Sequence, residues 1–196
     1  SAVTVPYVET DFVMAAPQSA GSEVEDTSAD GRTTAGGFTF RINGKEAEIT
    51  GYNGGMKELA IPTKISVTRT AASGGNTGGT GGSAQQPTTV TTSYDVTAIA
   101  ENAFSGNLGI QKVTMSGGTN SDGKVFGIRT IGDRAFFACH DLTTVEIAAT
   151  TNSIGKYVFA DCVALNSMKV GDGNQRYKII DNALYYYTAG AGTGLY

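Results

Sequence analysis

Apolar and small residues recur at a fixed spacing along the second half of the chain. Eight such positions between Ile131 and Ile147 return between Ile154 and Val170, each at the same offset of twenty-three positions. The matched pairs are Ile131 and Ile154, Gly132 and Gly155, Ala135 and Val158, Phe136 and Phe159, Cys139 and Cys162, Leu142 and Leu165, Val145 and Met168, and Ile147 and Val170. Such periodicity is typical of a solenoid, in which each coil buries its apolar face against its neighbours. The pattern therefore predicts stacked coils.

Two further coils are predicted upstream of this pair. One keeps the internal spacing at Ile99, Ala103, Phe104, Asn107, Ile110, Val113 and Met115. The step from Ile99 to Ile131 is nine positions longer than the period, and we assign the excess to a small hairpin at 117–127. A degenerate first coil is predicted at Met56, Leu59 and Ile61, which repeat the spacing of Leu142, Val145 and Ile147.

Each coil is predicted to contain a short strand and a single helical turn, which makes the fold a β-rich α/β solenoid. Residues 143–147 and 166–170 alternate as strands do. Residues 133–139 and 156–162 suit one helical turn, with Asp133 as its N-cap. Three phenylalanines should stack as a column inside the coils: Phe104, Phe136 and Phe159.

A β-hairpin precedes the coils. Phe38, Phe40 and Ile42 alternate with polar residues, and Asn43-Gly44 then supplies a strong two-residue turn signal. This turn would pair Phe40 with Ala47, Phe38 with Ile49, and Arg41 with Glu46. We expect the hairpin to cover the open end of the stack, because a solenoid needs a cap over its terminal core and strand edge.

The remaining segments complete the predicted domain organisation. Residues 1–36 are a tail or linker, since residues 17–37 carry too little apolar surface to offset the cost of ordering. The repeat domain spans 37–196, with a cap and first coil at 37–72, a flexible Gly-rich insert at 73–87 between two strands, repeats at 88–170, and a partial terminal repeat at 171–196. We expect no polar group to close the C-terminal end of the stack. The chain would then be a fragment cut inside a longer repeat array.

Charge argues against two classes of partner. Only 16% of residues are charged, the net charge is −4, and no Lys/Arg cluster is present to neutralise phosphates. Nucleic-acid binding and docking on an anionic membrane are therefore disfavoured. No apolar run approaches the ~20 residues of a membrane-spanning helix.

Candidate catalytic and metal-binding residues are few. His140 is the only histidine, and it falls in a turn, so no catalytic triad can be assembled around it. Two cysteines and one histidine are also too few for a structural zinc site, and we expect no metal or cofactor. Cys139 and Cys162 occupy the same site on successive coils; their side chains should be parallel, which favours two buried free thiols over a disulfide and leaves the redox compartment open.

The repeat resembles that of a known family. The run I-G-D-R-A-F-F-A-C-H-D-L-T-T-V-E-I at 131–147, with its copy at 154–170, is similar to the repeat of the BspA-like leucine-rich repeat family of bacterial cell-surface proteins. Residues 49–65 resemble that family's opening coil, and residues 173–185 its terminal half-repeat. The sequence departs at Asn107, where the family prefers Cys, and at Val158, where it prefers Ala. The resemblance implies an exported, surface-attached, non-enzymatic module that binds host or glycan ligands.

In leucine-rich repeats the strand face is the usual recognition surface, so its outward positions are the predicted ligand site. They are Glu58, Lys112, Thr114, Thr144, Glu146, Ser167 and Lys169, with Ala60 completing the rows. The alternative is a merely solvated face, since it carries no aromatic residue of the kind that usually anchors an interface. Tyr185, Tyr186 and Tyr187 are a second candidate, either as a platform for sugar rings or simply as strand residues.

Three classes of function follow. The first is a monomeric, extracellular or cell-surface adhesion module that binds a protein or glycan. The second is a structural spacer that presents another domain. The third, an enzyme, is disfavoured because the repeats place ionisable groups singly instead of gathering them in a pocket.

Overall fold

The computed structural model describes residues 32–71, 88–188 and 192–195. Sixteen strands lie within these ranges: β1 (Arg32–Ala35), β2 (Phe38–Asn43), β3 (Glu46–Tyr52), β4 (Glu58–Ile61), β5 (Lys64–Ala71), β6 (Thr88–Ile99), β7 (Lys112–Met115), β8 (Gly117–Thr119), β9 (Val125–Gly127), β10 (Thr130–Ile131), β11 (Thr144–Ile147), β12 (Ser153–Ile154), β13 (Ser167–Val170), β14 (Tyr177–Ile180), β15 (Ala183–Thr188) and β16 (Gly192–Leu195). The described residues contain no helix.

Two parallel ladders run through the stack. One joins β3, β6, β10 and β12, and it aligns Ile49, Ile99, Ile131 and Ile154. The other joins β4, β7, β11 and β13, and it aligns Leu59, Val113, Val145 and Met168. Each coil thus contributes one strand to each ladder, in the register that the sequence period predicts.

The core between the ladders contains the predicted aromatic column. The rings of Phe104 and Phe136 are stacked 4.7 Å apart, and those of Phe136 and Phe159 are stacked 5.6 Å apart. Phe38 of β2 meets Phe104 edge-on, with ring centroids 6.3 Å apart and an interplanar angle of 83°. The column therefore continues into the N-terminal strands through an edge-to-face contact, a favourable aromatic geometry.

The predicted helical turns are wrong. Residues 133–138 and 156–161 form successive tight turns, with no α-helical hydrogen bonding. Left-handed backbone angles recur at equivalent places in the two coils: Arg134 (φ 52°), Ala138 (φ 56°), Tyr157 (φ 58°) and Asp161 (φ 61°). A right-handed helical turn is incompatible with these angles.

Hydrogen bonds between coils explain why the turns replace helices. The N–H groups of Arg134, Phe136 and Ala138 donate to the carbonyls of Lys156, Val158 and Ala160 at 2.8, 3.0 and 2.9 Å. An α-helix would direct the same groups along its own axis. Asp133 is not an N-cap either, because its Oδ1 accepts from the N–H of Lys156 in the next coil at 2.8 Å.

Close stacking also accounts for the glycine that follows isoleucine in both coils. A Cβ on Gly132 would lie 2.5 Å from the backbone nitrogen of Glu101, and one on Gly155 would lie 2.5 Å from that of Asp133. Both distances are shorter than non-bonded atoms tolerate. Glycine at these positions is therefore required by the approach of the preceding coil.

The N-terminal hairpin has a different register from the one predicted. Its turn residues are Gly44 and Lys45, so Arg41 pairs with Glu48 instead of Glu46, and their side chains form an ion pair at 2.9 Å. Phe40 pairs with Ile49, and Phe38 pairs with Tyr52. Gly44 has φ 62° at the first central position, as in a type II′ turn, whereas the Asn-Gly signal places the turn one residue earlier. From Asn43 to Phe40 the partner strand is shifted by two residues, which leaves the same side chains on the buried face. A bulge between Thr39 and Phe40 makes the shift three residues at Phe38.

The segment predicted as an N-terminal tail contributes one strand. β1 pairs with β2 and extends the sheet, whereas residues 1–31 lie outside the described residues. The strands that flank the predicted Gly-rich insert, β5 and β6, form an antiparallel pair, and residues 73–87 between them lie outside the described residues.

The small hairpin expected at 117–127 is formed by β8 and β9. The side chain of Asn120 closes its turn by accepting from the N–H groups of Asp122 and Lys124 at 3.1 and 2.8 Å. Lys124 also forms an ion pair with Asp95 of β6 at 2.6 Å. The hairpin is thereby attached to the strand that leads out of the Gly-rich insert.

Polar side chains close part of the C-terminal end, so the expectation that nothing polar would do so is wrong. Residues of β14, β15 and β16 form an antiparallel meander. The hydroxyl of Tyr177 accepts from the N–H of Ile154 at 2.9 Å, and Oδ1 of Asn182 accepts from the N–H of Met168 at 2.9 Å. Each bond satisfies a donor on the last strand of one ladder.

Candidate functional site

The outward face of β4, β7, β11 and β13 gathers all seven residues of the predicted ligand site. Their register places side chains in two rows across the sheet: Glu58, Lys112, Thr144 and Ser167 in one, and Ala60, Thr114, Glu146 and Lys169 in the other. The intervening positions Leu59, Val113 and Val145 are buried. We call these two rows the polar strand face.

Charges on the polar strand face alternate in sign. Lys112 and Glu146 form an ion pair across neighbouring strands at 3.5 Å, with both side chains about a third or more exposed. Such a solvated pair contributes little to stability, typically ~0–1 kcal/mol. Glu58 lies next to Lys112 in its row, and Lys169 lies next to Glu146. The face is therefore polar without a strong net charge.

Hydroxyl groups occupy the centre and one edge of the same face. Thr114, Thr144 and Ser167 are all half-buried there. Thr144 Oγ1 lies 3.5 Å from Thr143 Oγ1, and Thr143 Oγ1 in turn donates to the carbonyl of Gln111 at 2.9 Å. Hydroxyls both donate and accept, so together with the carboxylates and ammonium groups they can hydrogen-bond a polar ligand.

His140 lies at the surface beside a carboxylate of the next coil. Its Nε2 lies 3.1 Å from Asp161 Oδ2, and both side chains are about half exposed, which describes a surface pair between successive turns. Among the residues that the structure describes, no group of three His, Cys, Asp or Glu side chains could hold a metal ion.

Both cysteines are free and buried, as predicted. Cys139 Sγ donates to the carbonyl of Phe104 at 3.1 Å, and Cys162 Sγ donates to that of Phe136 at 3.0 Å. A hydrogen bond with Cys162 and burial raise the pKa of the Cys139 thiol. A thiol held protonated is a poor nucleophile and metal ligand, so the geometry assigns Cys139 a structural role.

The three consecutive tyrosines do not form a single platform. They lie in β15, between β14 and β16, where successive side chains point to opposite faces. Tyr185 and Tyr186 are half-buried, and Tyr187 is 39% exposed with the ammonium of Lys178 5.0 Å from its ring centroid. The arrangement agrees with the alternative prediction, that these are ordinary strand residues.

Sequence reasoning missed an apolar groove of about 890 Å³ at the C-terminal end of the stack. Phe159, Leu165 and Met168 of the last coil line one side, and Leu184 and Tyr186 of the terminal meander line the other. One signal could have revealed it. Asn182 stands one period after Phe159, so the apolar pattern stops where the next ring would stack.

No membrane-spanning helix is found in the part of the chain that the structure describes.

Comparison with known proteins gives one family match and two structural likenesses. Residues 124–189 match the family model of the BspA type leucine rich repeat region (6 copies). A leucine rich cell surface protein from Faecalibacterium prausnitzii A2-165 is 18% identical with a TM-score of 0.32; the alignment covers 84% of this chain and 60% of that one. The pneumococcal vaccine antigen PcpA is 14% identical with a TM-score of 0.34, over 82% of this chain and 55% of that one.

The chain thus spans 60% and 55% of the lengths of these two solved chains. Comparison with curated proteins gives no match. The family match falls on the coils in which the sequence period is clearest, and it extends into the terminal meander. Over residues 124–189, the sequence is thus similar to the BspA-type leucine-rich repeats.

Proposed function

We propose that this chain is an extracellular or cell-surface module that binds a protein or glycan through the polar strand face. The observation that carries the proposal is the register of β4, β7, β11 and β13, which brings seven polar residues from four separate coils onto one surface. The BspA-type repeats support a surface-associated module. The proposed module is monomeric, uses no cofactor and is not an enzyme.

Rigidity favours recognition at this face. Every strand in the ladder is paired with its neighbour, and alternate residues are directed into the core. The exposed side chains therefore start from fixed Cα positions ~4.8 Å apart between strands. A preorganised surface loses less conformational entropy on binding than a mobile loop does. We also propose that β2 acts as the cap that holds the first coil in place.

The composition of the face indicates the kind of ligand. Two acids, two lysines and three hydroxyls provide both donors and acceptors, which suit the hydroxyl groups of a glycan or a polar protein surface. No aromatic side chain is among the eight positions, so we expect modest affinity at each contact. Multivalent display on a cell surface would raise the avidity.

A structural spacer is the second candidate. The observation that favours it is the ion pair between Lys112 and Glu146, because these two charges already neutralise each other within the molecule. A spacer would present another domain and would tolerate changes at the polar strand face.

A binding array separates the two candidates. The full chain and the triple variant Lys112→Ala, Glu146→Ala, Lys169→Ala are probed against glycans and extracellular matrix proteins. A matched control is Arg41→Ala, Glu48→Ala, Arg176→Ala, which also removes two cations and an acid, including one ion pair. We expect the first variant to lose binding by about tenfold or more, equivalent to ~1.4 kcal/mol, and the control to retain it. Equal binding by all three proteins would refute recognition through this face.

A further inference from the structure

The four charged residues of the polar strand face alternate in sign from coil to coil. In order along the ladder they are Glu58 on β4, Lys112 on β7, Glu146 on β11 and Lys169 on β13. The inner two already pair with each other at 3.5 Å. Glu58 and Lys169 are exposed, and neither forms an ion pair with another residue that the structure describes. One end of the face thus offers a carboxylate, and the other end offers an ammonium group.

The ladder sets the distance between these two ends. β4 and β13 are three strand steps apart, and Lys169 lies two residues beyond the position that aligns with Glu58. With ~4.8 Å between strands and ~3.3 Å per residue, their Cα atoms are ~16 Å apart. In an extended polypeptide, residues four or six positions apart span ~13–20 Å and point to the same side. A basic and an acidic side chain at that separation can therefore reach both ends together.

Hydroxyl groups lie between the two ends. Thr114 and Thr144 are on the two central strands of the ladder, and both are half-buried. Because hydroxyls donate and accept, they can hydrogen-bond the backbone N–H and C=O groups of a chain laid across the strands. Such bonds do not select a side chain, so any sequence preference of the face comes from its charged ends.

We propose that the ligand of the polar strand face is an extended segment of a protein partner, with a basic side chain at Glu58 and an acidic side chain at Lys169. This assignment rests on the proposed recognition through that face and adds the class of ligand. A neutral glycan would desolvate both charges without pairing them, and an anionic glycan would be repelled by Glu58. A polypeptide carries charges of both signs and can pair the two ends at once.

Size distinguishes a segment from a second copy of the chain. The two rows span ~14 Å across the strands and ~7 Å along them, an area of ~100 Å². A stable interface between two folded proteins buries ~800 Å² on each partner. The polar strand face therefore matches about five to seven residues of extended chain, and it is too small by itself to hold two copies together.

Charge complementation between the chain and synthetic peptides tests the assignment. The blocked peptides Lys-Val-Thr-Val-Glu, Glu-Val-Thr-Val-Glu and Lys-Val-Thr-Val-Lys are titrated into the ¹⁵N-labelled chain, and the amide signals of β4 and β13 are followed. We expect the chain to bind the mixed-charge peptide about tenfold more tightly than the other two. Glu58→Lys should switch the preference to the peptide with two acids, and Lys169→Glu to the peptide with two lysines, because each pairing restores opposite charges at both ends.

Two controls separate this switch from other effects. Arg176→Glu reverses an exposed charge outside the face and should keep the original preference. The peptide Val-Lys-Glu-Thr-Val has the same composition as the mixed-charge peptide but adjacent charges, so it should bind at least tenfold more weakly. A variant that had merely lost its fold would weaken binding of every peptide alike.

Absent or equal binding of the peptides, or an unchanged preference in Glu58→Lys and Lys169→Glu, would overturn the assignment. If the triple variant at Lys112, Glu146 and Lys169 still lost binding on the array, the face would take another ligand, a glycan among them, and the proposed function would stand. Array binding retained by that triple variant would refute both. Dimers that form without peptide and disappear in Glu58→Lys would overturn the assignment in favour of a second copy.

Discussion

At the N-terminal end of the stack apolar side chains cover the core, whereas at the C-terminal end polar side chains bind the strand edges and leave the core half exposed. On β2, Phe38 and Phe40 are both completely buried, and the ring of Phe38 contacts that of Phe104. At the other end Tyr177 and Asn182 each accept one backbone N–H, while Phe159 lines an open groove. The C-terminal end thus satisfies backbone hydrogen-bond donors of its edge strands without excluding water from the core beneath them.

The two ends of the stack should differ in how much stability their coils lose on mutation or partial unfolding. Burial of apolar area is the dominant favourable term in folding, and a single hydrogen bond adds only ~0.5–1.5 kcal/mol net. The C-terminal coil should therefore be the weaker part of the stack. Because β13 carries Ser167 and Lys169 of the polar strand face, the same asymmetry bears on the proposed function.

The largest effect is expected from truncating the rings at the two ends. Phe38→Ala should cost ~3–5 kcal/mol in the free energy of unfolding, because it empties a fully buried site at the end of the ring column. Phe159→Ala should cost less than half as much, since its ring already borders the groove. Urea denaturation of both variants measures the difference. Equal losses would show that the two ends are equally well covered.

A methyl group at the close approaches between coils should have the next largest effect. Gly132→Ala should cost ~1–3 kcal/mol, because its Cβ would overlap the backbone of Glu101 in a coil packed on both sides. Gly155→Ala meets Asp133 just as closely, but the last coil can move outward, so a smaller loss is expected. Thermal unfolding of the two variants gives the comparison, and a larger loss for Gly155→Ala would contradict it.

Alkaline pH should weaken the inner coil through Cys139. Its pKa is raised in the folded state, so above the ordinary cysteine pKa of about 9 the unfolded chain loses a proton that the folded chain keeps. The contribution of Cys139 is therefore full below that pH and falls above it, by at most ~1.4 kcal/mol per pH unit. Cys162, whose pKa is lowered by its hydrogen bond with Cys139, contributes in the opposite direction. Chemical denaturation between pH 8 and 10 should show this fall. Cys139→Ala should reduce it, and an unchanged slope in that variant would exclude the thiol as its source.

The most local effect concerns the polar closure of the C-terminal end. Asn182→Ala removes the acceptor for the Met168 N–H and forces a left-handed backbone angle (φ 60°) on alanine. We expect a loss of ~1–2 kcal/mol, localised to β13. Asn182→Asp is the control, because it keeps an acceptor and tolerates that angle. Hydrogen exchange at Met168 should quicken in the alanine variant only; equal exchange in both would mean that the bond does not hold the strand.

Much of the architecture follows from the sequence because it depends on spacing alone. The repeat period predicted the alignment of Ile131 with Ile154, the column of three phenylalanines and the outward rows of the polar strand face. Each of these requires only that equivalent positions of successive coils lie side by side.

The predictions that failed concern features that depend on hydrogen bonds between distant segments. Residues 133–139 have helical spacing, but bonds from Arg134 and Phe136 to the next coil replace the helical ones. The register of the hairpin is set by the turn at Gly44 and by the pairing of Ile49 with Ile99, neither of which the Asn-Gly signal revealed. The groove was missed because it arises where the apolar period stops. Asn182 stands one period after Phe159, where the pattern would place the next phenylalanine.

Native-state hydrogen exchange, read strand by strand, tests most directly the claim that the stack is closed at one end and open at the other. The account predicts slow exchange in β3 and β6, which are paired on both sides, and exchange in β12 of the same ladder that is faster by an order of magnitude or more. Uniform protection along this ladder, or faster exchange in β3 than in β12, would contradict it.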